Sequence, residues 1–302
     1  MPGQTTTLRA GHRRLAGLLL AAAAVALAAH VHAGAPRNFL WKATGQTGVV
    51  YLVGSVHMLT QSYYPLDPVI QQAFQESDLL VQEVDLGEML APPVQLSILM
   101  RSRLPDGQTL DEVLAPATMA LLNKFTADLG PAADVLKTFK PWMLATVIEG
   151  LELQKAGFDP NLGLDKHFYD QALRGGKTIK GLETTEYQIS LFDQMTMEQQ
   201  DRFLAETLRQ LATEKANVTR LADAWRFGDA DTIEQIVLAE IKSDAAIYQR
   251  LLVDRNRNWL PQIEALFTRQ GRTFVVVGAA HLVGPDGLLQ LLKAKGYRVE
   301  QM

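Results

Sequence analysis

The chain has 302 residues, 47% hydrophobic and 21% charged, a globular composition that excludes a disordered chain or a coiled-coil rod. Lys and Arg number 29 against 33 Asp and Glu, a net charge of −4 that leaves no basic excess for a nucleic-acid backbone. Cysteine is absent, which excludes disulfides, thiolate nucleophiles, cysteine-based zinc sites and iron–sulfur clusters together.

Arg9, His12, Arg13 and Arg14 precede a run of small and apolar residues, Leu15 to Ala29, and Val31-His32-Ala33 offers small residues at a cleavage site. Residues 1–33 therefore read as a secretory signal peptide of bacterial type, and residues 34–302 as the mature domain. The apolar run is short of the roughly 20 residues that span a bilayer, so no stable membrane span is expected after its removal. A periplasmic or secreted location follows.

In the mature chain Phe39 to Ala43 is the first strand candidate. Val49 to Val53 is a buried apolar run leading into Gly54-Ser55-Val56-His57, and a helix is expected over Pro68 to Glu76. Leu79 to Val84 is the next strand and carries Glu83 near its end. From about Glu88 to Arg269 helical periods dominate: Pro141 to Lys155, Met197 to Arg226, Asp231 to Ile241 and Ala245 to Phe267. Lys177 to Leu182 is a further strand candidate, ending at Glu183. Thr273 to Val277 runs into Gly278-Ala279-Ala280-His281, echoing the first Gly-x-x-His, with a helix over Gly287 to Lys295 and a strand over Tyr297 to Gln301. These elements describe an α/β fold. A small, mostly parallel sheet core carries two strand–GxxH–helix units, and the helical stretch at about 88–269 forms an insertion or lid.

No HExxH, GxSxG, SxxK or GxGxxG occurs. Gly176-Lys177-Thr178 resembles the end of a P-loop, but Gln171 stands where its first Gly is required. Chemistry must therefore come from His, Asp, Glu, Arg and Asn. The mature chain keeps His57, His167 and His281, and two of these end matching motifs. In an open α/β sheet ligands bind beyond the carboxyl ends of strands, so His57 and His281 are expected at one crevice, free to ligate a metal or move protons. The glycine three residues before each suits a tight turn and close backbone approach. Glu83 belongs to the same edge as a ligand or general base, and Asp85 is placed to face the same side. Glu183 is a base candidate, with a helix-terminal acid as the plainer alternative. Arg255, in Arg255-Asn256-Arg257-Asn258, can polarise a carbonyl or hold a carboxylate with its fixed donor fork, though such a run is usually a solvated helix face. Asp165 reads as a helix N-cap, and His167 as a packed or exposed side chain.

The ordered set GSVH (54–57), VQEVDL around Glu83, GLDKHF (163–168), GLET (181–184), DRNRNW (254–259) and GAAHLVGPDG (278–287) resembles the TraB/GumN family, over essentially the whole mature chain. That family is related to the Tiki-type metalloproteases and grouped with erythromycin esterase-like and ChaN-like proteins. The resemblance implies an α/β core with two GxxH histidines and a Glu, and metal-dependent peptide hydrolysis as shown for Tiki-type members. The expected function is a metal-dependent, peptidase-like hydrolase acting on a peptide or small molecule. His57, His281 and Glu83 would hold a divalent ion (Zn²⁺, Mn²⁺, Co²⁺ or Fe²⁺), with Arg255 and Glu183 assisting. Two alternatives stand beside it: a metal-free esterase-like hydrolase, and a non-catalytic protein that binds haem or a peptide.

Overall fold

The structure is a computed structural model that describes residues 37–302 except Glu214. The signal-peptide reading of residues 1–33 lies outside the described residues. Six strands form one sheet: β1 (Leu40–Thr44), β2 (Gly48–Ser55), β3 (Leu79–Gln82), β4 (Thr178–Gly181), β5 (Gly271–Gly278) and β6 (Arg298–Gln301), in the order β4-β3-β5-β2-β1-β6. Strands β4, β3, β5 and β2 run parallel, and β1 is antiparallel to both its neighbours.

The central strands are the apolar runs that the sequence offered. Phe274 to Val277 of β5 and Val50, Leu52 and Val53 of β2 are fully buried, as expected of strands covered on both faces. The two outermost strands alternate between exposed and half-buried positions, and carry Lys180 on one edge and Arg298 and Glu300 on the other. Charges there discourage edge-to-edge pairing with a second chain.

The helices used below are α1 (Pro68–Gln75), α2 (Pro116–Thr126), α3 (Pro141–Lys155), α4 (Leu164–Arg174), α5 (Thr185–Asp193), α6 (Met197–Thr213), α7 (Lys215–Arg226), α8 (Asp254–Leu266) and α9 (Leu288–Ala294). The expected helix over Met197 to Arg226 is described as α6 and α7, on either side of Glu214. The expected Ala245 to Phe267 helix contains a π turn at Gln249–Val253, and that over Asp231 to Ile241 another at Glu234–Leu238. Hydrophobic period alone cannot separate i→i+4 from i→i+5 bonding over a single turn.

The helical stretch is not all insertion, since β4 lies within it and completes one edge of the sheet. Its other parts supply a second apolar cluster, in which Leu122 of α2, Leu144 and Ile148 of α3, and Leu204 and Leu208 of α6 pack together. The main cluster surrounds the sheet and takes in Trp225 of α7 and Trp259 of α8. Trp225 also donates its indole N–H to the carbonyl of Gly54 at 2.7 Å, tying α7 to the end of β2.

That bond predicts a measurable cost. Trp225→Phe keeps most of the apolar volume and leaves the buried Gly54 carbonyl without its partner. Stability should fall by about 1–3 kcal/mol in urea unfolding. An unchanged midpoint would mean that the indole N–H contributes nothing.

Candidate functional site

All four parallel strands deliver a chemistry-bearing side chain just beyond their carboxyl ends. His57 follows β2, Glu83 follows β3, Glu183 follows β4, and His281 closes the 3-10 turn Ala279–His281 after β5. The register pairs Ser55 with Gly278, so the two GxxH motifs leave adjacent strands side by side. This is the edge at which open α/β sheets bind ligands.

The two motif glycines are needed for space and not for a tight turn, since neither has a positive φ. A Cβ on Gly54 would collide with the Phe39 ring. A Cβ on Gly278 would lie 3.3 Å from Glu83 Oε1, 3.5 Å from His281 Cδ2 and 4.0 Å from His57 Nε2. Gly278 thus leaves a hollow that these three side chains share. Its backbone N–H also donates to Glu83 Oε1 at 2.7 Å.

Helix α8 closes the site from the other side. Arg255 is only 7% exposed, and Asn256 and Trp259 are buried, so one face of the Arg-Asn-Arg-Asn run points inward. Arg255 Nη2 donates to Glu83 Oε2 at 2.5 Å and to Glu183 Oε1 at 2.7 Å, while Nε donates to Glu183 Oε2 at 3.2 Å. Trp259 Nε1 adds a bond to Glu183 Oε2 at 2.9 Å. Gln188 of α5 donates to both carboxylates at 3.2 Å. Burial alone would raise Glu83, but Arg255, the two imidazoles and the Gly278 N–H pull its pKa well below the usual carboxylate range. Glu183, with fewer charges opposing its burial, is raised.

Both histidines are held by Nδ1. Asn256 donates its amide to the carbonyls of Asp286 and His281, which fixes Oδ1 as the acceptor facing His281 Nδ1 at 2.7 Å. His281 therefore carries its proton on Nδ1, and Nε2 accepts from Arg255 Nη1 at 3.0 Å. Burial, reinforced by Arg255 and His57, pushes its pKa down to about 3 against the pull of Glu83, so the ring is neutral. His57 Nδ1 donates to Asp165 Oδ2 at 2.8 Å, and the Asp165 carboxylate raises its pKa to about 9. The His57 side chain keeps 70% of its surface open to water, so solvent screens this pair far more than the buried cluster.

The sequence marks Asp165 only as a helix start and Asn256 only as part of a polar run, and neither signal discloses an imidazole partner. The N-cap of α4 is Gly163, whose position against the His57 carbonyl admits no side chain. Leu164 N–H donates to the Val56 carbonyl at 3.1 Å, and the first turn of α4 then presents Asp165 to His57. Asp85 does not join the site. It caps the short helix Leu86–Met89, accepting from Gly87 N–H at 2.8 Å. Glu183 is not a cap either, for Thr184 caps α5. His167 packs on the Tyr64 ring, with centroids 4.9 Å apart, and accepts from Gln171.

Two imidazoles with Nδ1 engaged and a carboxylate beside a side-chain-free hollow form a donor set suited to a divalent ion. Among the described residues no three His, Asp or Glu side chains yet converge to ligand distance. The Arg255 guanidinium stands between Glu83 and His281, so taking up an ion requires it to release His281 Nε2.

The TraB/PrgY/gumN family matches residues 39–301. The chain is 26% identical over 246 residues to the uncharacterized protein YbaP of Escherichia coli, covering 80% of this chain and 87% of the relative. An uncharacterized protein of Treponema pallidum is 20% identical over 274 residues, 85% of this chain and 81% of its own. No solved structure matches.

The cluster predicts the outcome of removing its buried guanidinium. Arg255→Met leaves two buried carboxylates facing each other and should cost about 3–5 kcal/mol near neutral pH. With the guanidinium gone, both carboxylates are raised in the folded state. The deficit relative to wild type should therefore narrow as pH falls toward the ordinary carboxylate range, where both states are protonated. Urea unfolding of both proteins at pH 7 and pH 5 measures this; a pH-independent deficit would point to packing loss instead.

Proposed function

This chain belongs to the TraB/PrgY/gumN family, and on that footing we propose that it is an exported, metal-dependent hydrolase of the peptidase kind. The observation that carries the reading is the grouping of His57, Glu83 and His281 around Gly278, with both rings anchored through Nδ1. Export rests on the signal-like composition of residues 1–33. Among the described residues no helix is long and apolar enough to cross a membrane.

Nε2 of His57 and His281 and the Glu83 carboxylate would hold the ion, with Zn²⁺, Mn²⁺, Co²⁺ and Fe²⁺ all compatible with two imidazoles and a carboxylate. When bound, such an ion lowers the pKa of a water and polarises a carbonyl. The chain's own residues prepare the rest. Asp165 and Asn256 hold the two rings in one orientation each. Arg255, already fixed by Glu83 and Glu183, supplies positive charge beside the place where a carbonyl oxygen gains charge. Gln188 and the Gly278 N–H keep Glu83 ionised and immobile.

One contact favours a second reading, hydrolysis without a metal. Arg255 Nη1 donates to His281 Nε2 at 3.0 Å, leaving that ring no free lone pair. His57, protonated near neutral pH and open to solvent, would then deliver a proton from Nε2 to the leaving group.

The two readings part on proton release. Wild-type protein titrated with Zn²⁺ or Mn²⁺ at pH 7 should release about one proton, from His57, because His281 is neutral and Glu83 ionised. Affinity should fall with decreasing pH once His57, whose pKa is raised by Asp165, holds its proton. Asp165→Asn removes the charge that raises His57, so release at pH 7 should shrink. Calorimetry in buffers of different ionisation enthalpy reads the proton count, and an absence of metal uptake favours the metal-free reading.

Activity is tested with a diverse peptide library and products identified by mass. Glu83→Gln should lower turnover by about 10²–10⁴-fold, the scale of a lost base or ligand. Full activity in this variant would remove the site assignment.

A further inference from the structure

A second concavity lies beside the catalytic crevice and has no part in the chemistry above. It is a cleft of about 430 Å³, bounded by α5 and the turn that follows it, and by the segment from Ala246 to Asp254. That volume is in the range of small-ligand sites. Leu191, Met195 and Ile247 are buried and give it an apolar floor. Its polar groups include Tyr187, Gln194 and Arg250.

Two of these polar groups are free among the described residues. No ion pair or hydrogen bond engages the Arg250 guanidinium or the Gln194 amide. The other charge in the cleft, Asp254, is occupied in part by the Gln249 amide N–H at 2.6 Å. The π turn Gln249–Val253 carries Arg250 and leads directly into α8. Such turns recur at functional positions because the extra residue breaks the regular helical face.

The cleft shares its walls with the catalytic cluster. Tyr187 lines the cleft, and its neighbour Gln188 holds Glu83 and Glu183. Asp254 lines it too, and its neighbour is Arg255. Asn258 Nδ2 donates to Tyr187 Oη at 3.3 Å, joining the two helices between the sites.

We propose that this cleft binds the free carboxyl end of a peptide whose last side chain is apolar. Arg250 pairs with the carboxylate, using the planar donor fork that suits that group. Leu191, Met195 and Ile247 take the terminal side chain. Gln194 and Tyr187 meet backbone amide groups. A fatty acid would supply the carboxylate and the apolar chain but would leave those polar groups unpaired, which disfavours it. The inference deepens the peptidase reading and rests on it for the choice of a peptide, but its test reads binding and not turnover.

Calorimetry on the full mature chain decides it, with three probes: an acetylated tripeptide ending in leucine with a free carboxyl group, the same tripeptide as its C-terminal amide, and octanoate. Wild type should bind the acid at least about tenfold more tightly than the amide or octanoate. Arg250→Gln should erase the preference for the acid, and Arg250→Lys should retain part of it. Arg250 is half-exposed and unpaired, so neither change should alter the unfolding midpoint. Equal binding of acid and amide, no binding of the acid, a preference that survives Arg250→Gln, or tighter binding of octanoate each overturns the proposal. Acid-selective binding by a protein that cleaves no member of the peptide library would keep this site and remove the peptidase reading.

Discussion

A guanidinium buried between two carboxylates sets the terms for the rest of this molecule. Removing three charges from water is expensive unless every donor and acceptor is matched. Here Arg255 meets Glu83 and Glu183, and the surplus negative charge is met by Gln188, Trp259 and the Gly278 N–H. These groups come from the ends of β3, β4 and β5 and from helices α5 and α8. Full pairing of the three charges needs all of these elements in place, so the cluster ties the sheet edge to the helices above it.

That dependence explains what the amino-acid sequence discloses and what it hides. Strand-end residues are legible, because a continuous apolar run ending in Gly-x-x-His or in an acid marks both the strand and its exit. His57, Glu83, Glu183 and His281 were readable for that reason, and the structure brings them to one edge with Arg255. Their partners were not. Asp165 sits in a helix start that looks like a cap, and Asn256 in a polar run that looks like a wet surface. Only packing of α4 against the His57 carbonyl and of α8 against the turn that follows β5 gives each an imidazole. Asp85 shows the reverse. It lies close to Glu83 in the chain, yet the strand ends at Gln82, and the alternation that would have aimed Asp85 inward stops there.

The glycines show the same division between local and distant causes. A turn glycine is recognised by its neighbours in sequence. Gly54 and Gly163 are glycine because something remote in the chain occupies the place of a side chain, the ring of Phe39 and the carbonyl of His57, while a side chain on Gly278 would enter the space bordered by Glu83 and the two imidazoles. In the third case the vacancy belongs to the site itself, and any side chain there would compete with a ligand for it. The two motifs look alike on paper but do different work, one permitting close packing and the other keeping a hollow open.

The strand order has a consequence for how the chain reaches this state. β5 lies between β2 and β3, yet it is made more than two hundred residues after β2. Until residues 271–278 are available, β2 has a partner only in β1, and β3 only in β4 once that strand has arrived. Both keep an unpaired edge facing the gap. The gap between β2 and β3 closes only when β5 inserts, a late long-range step of the kind that makes folding slow. A chain emerging from a ribosome would therefore keep its sheet split in two, and the two halves of the site would meet only when its last thirty or so residues arrive.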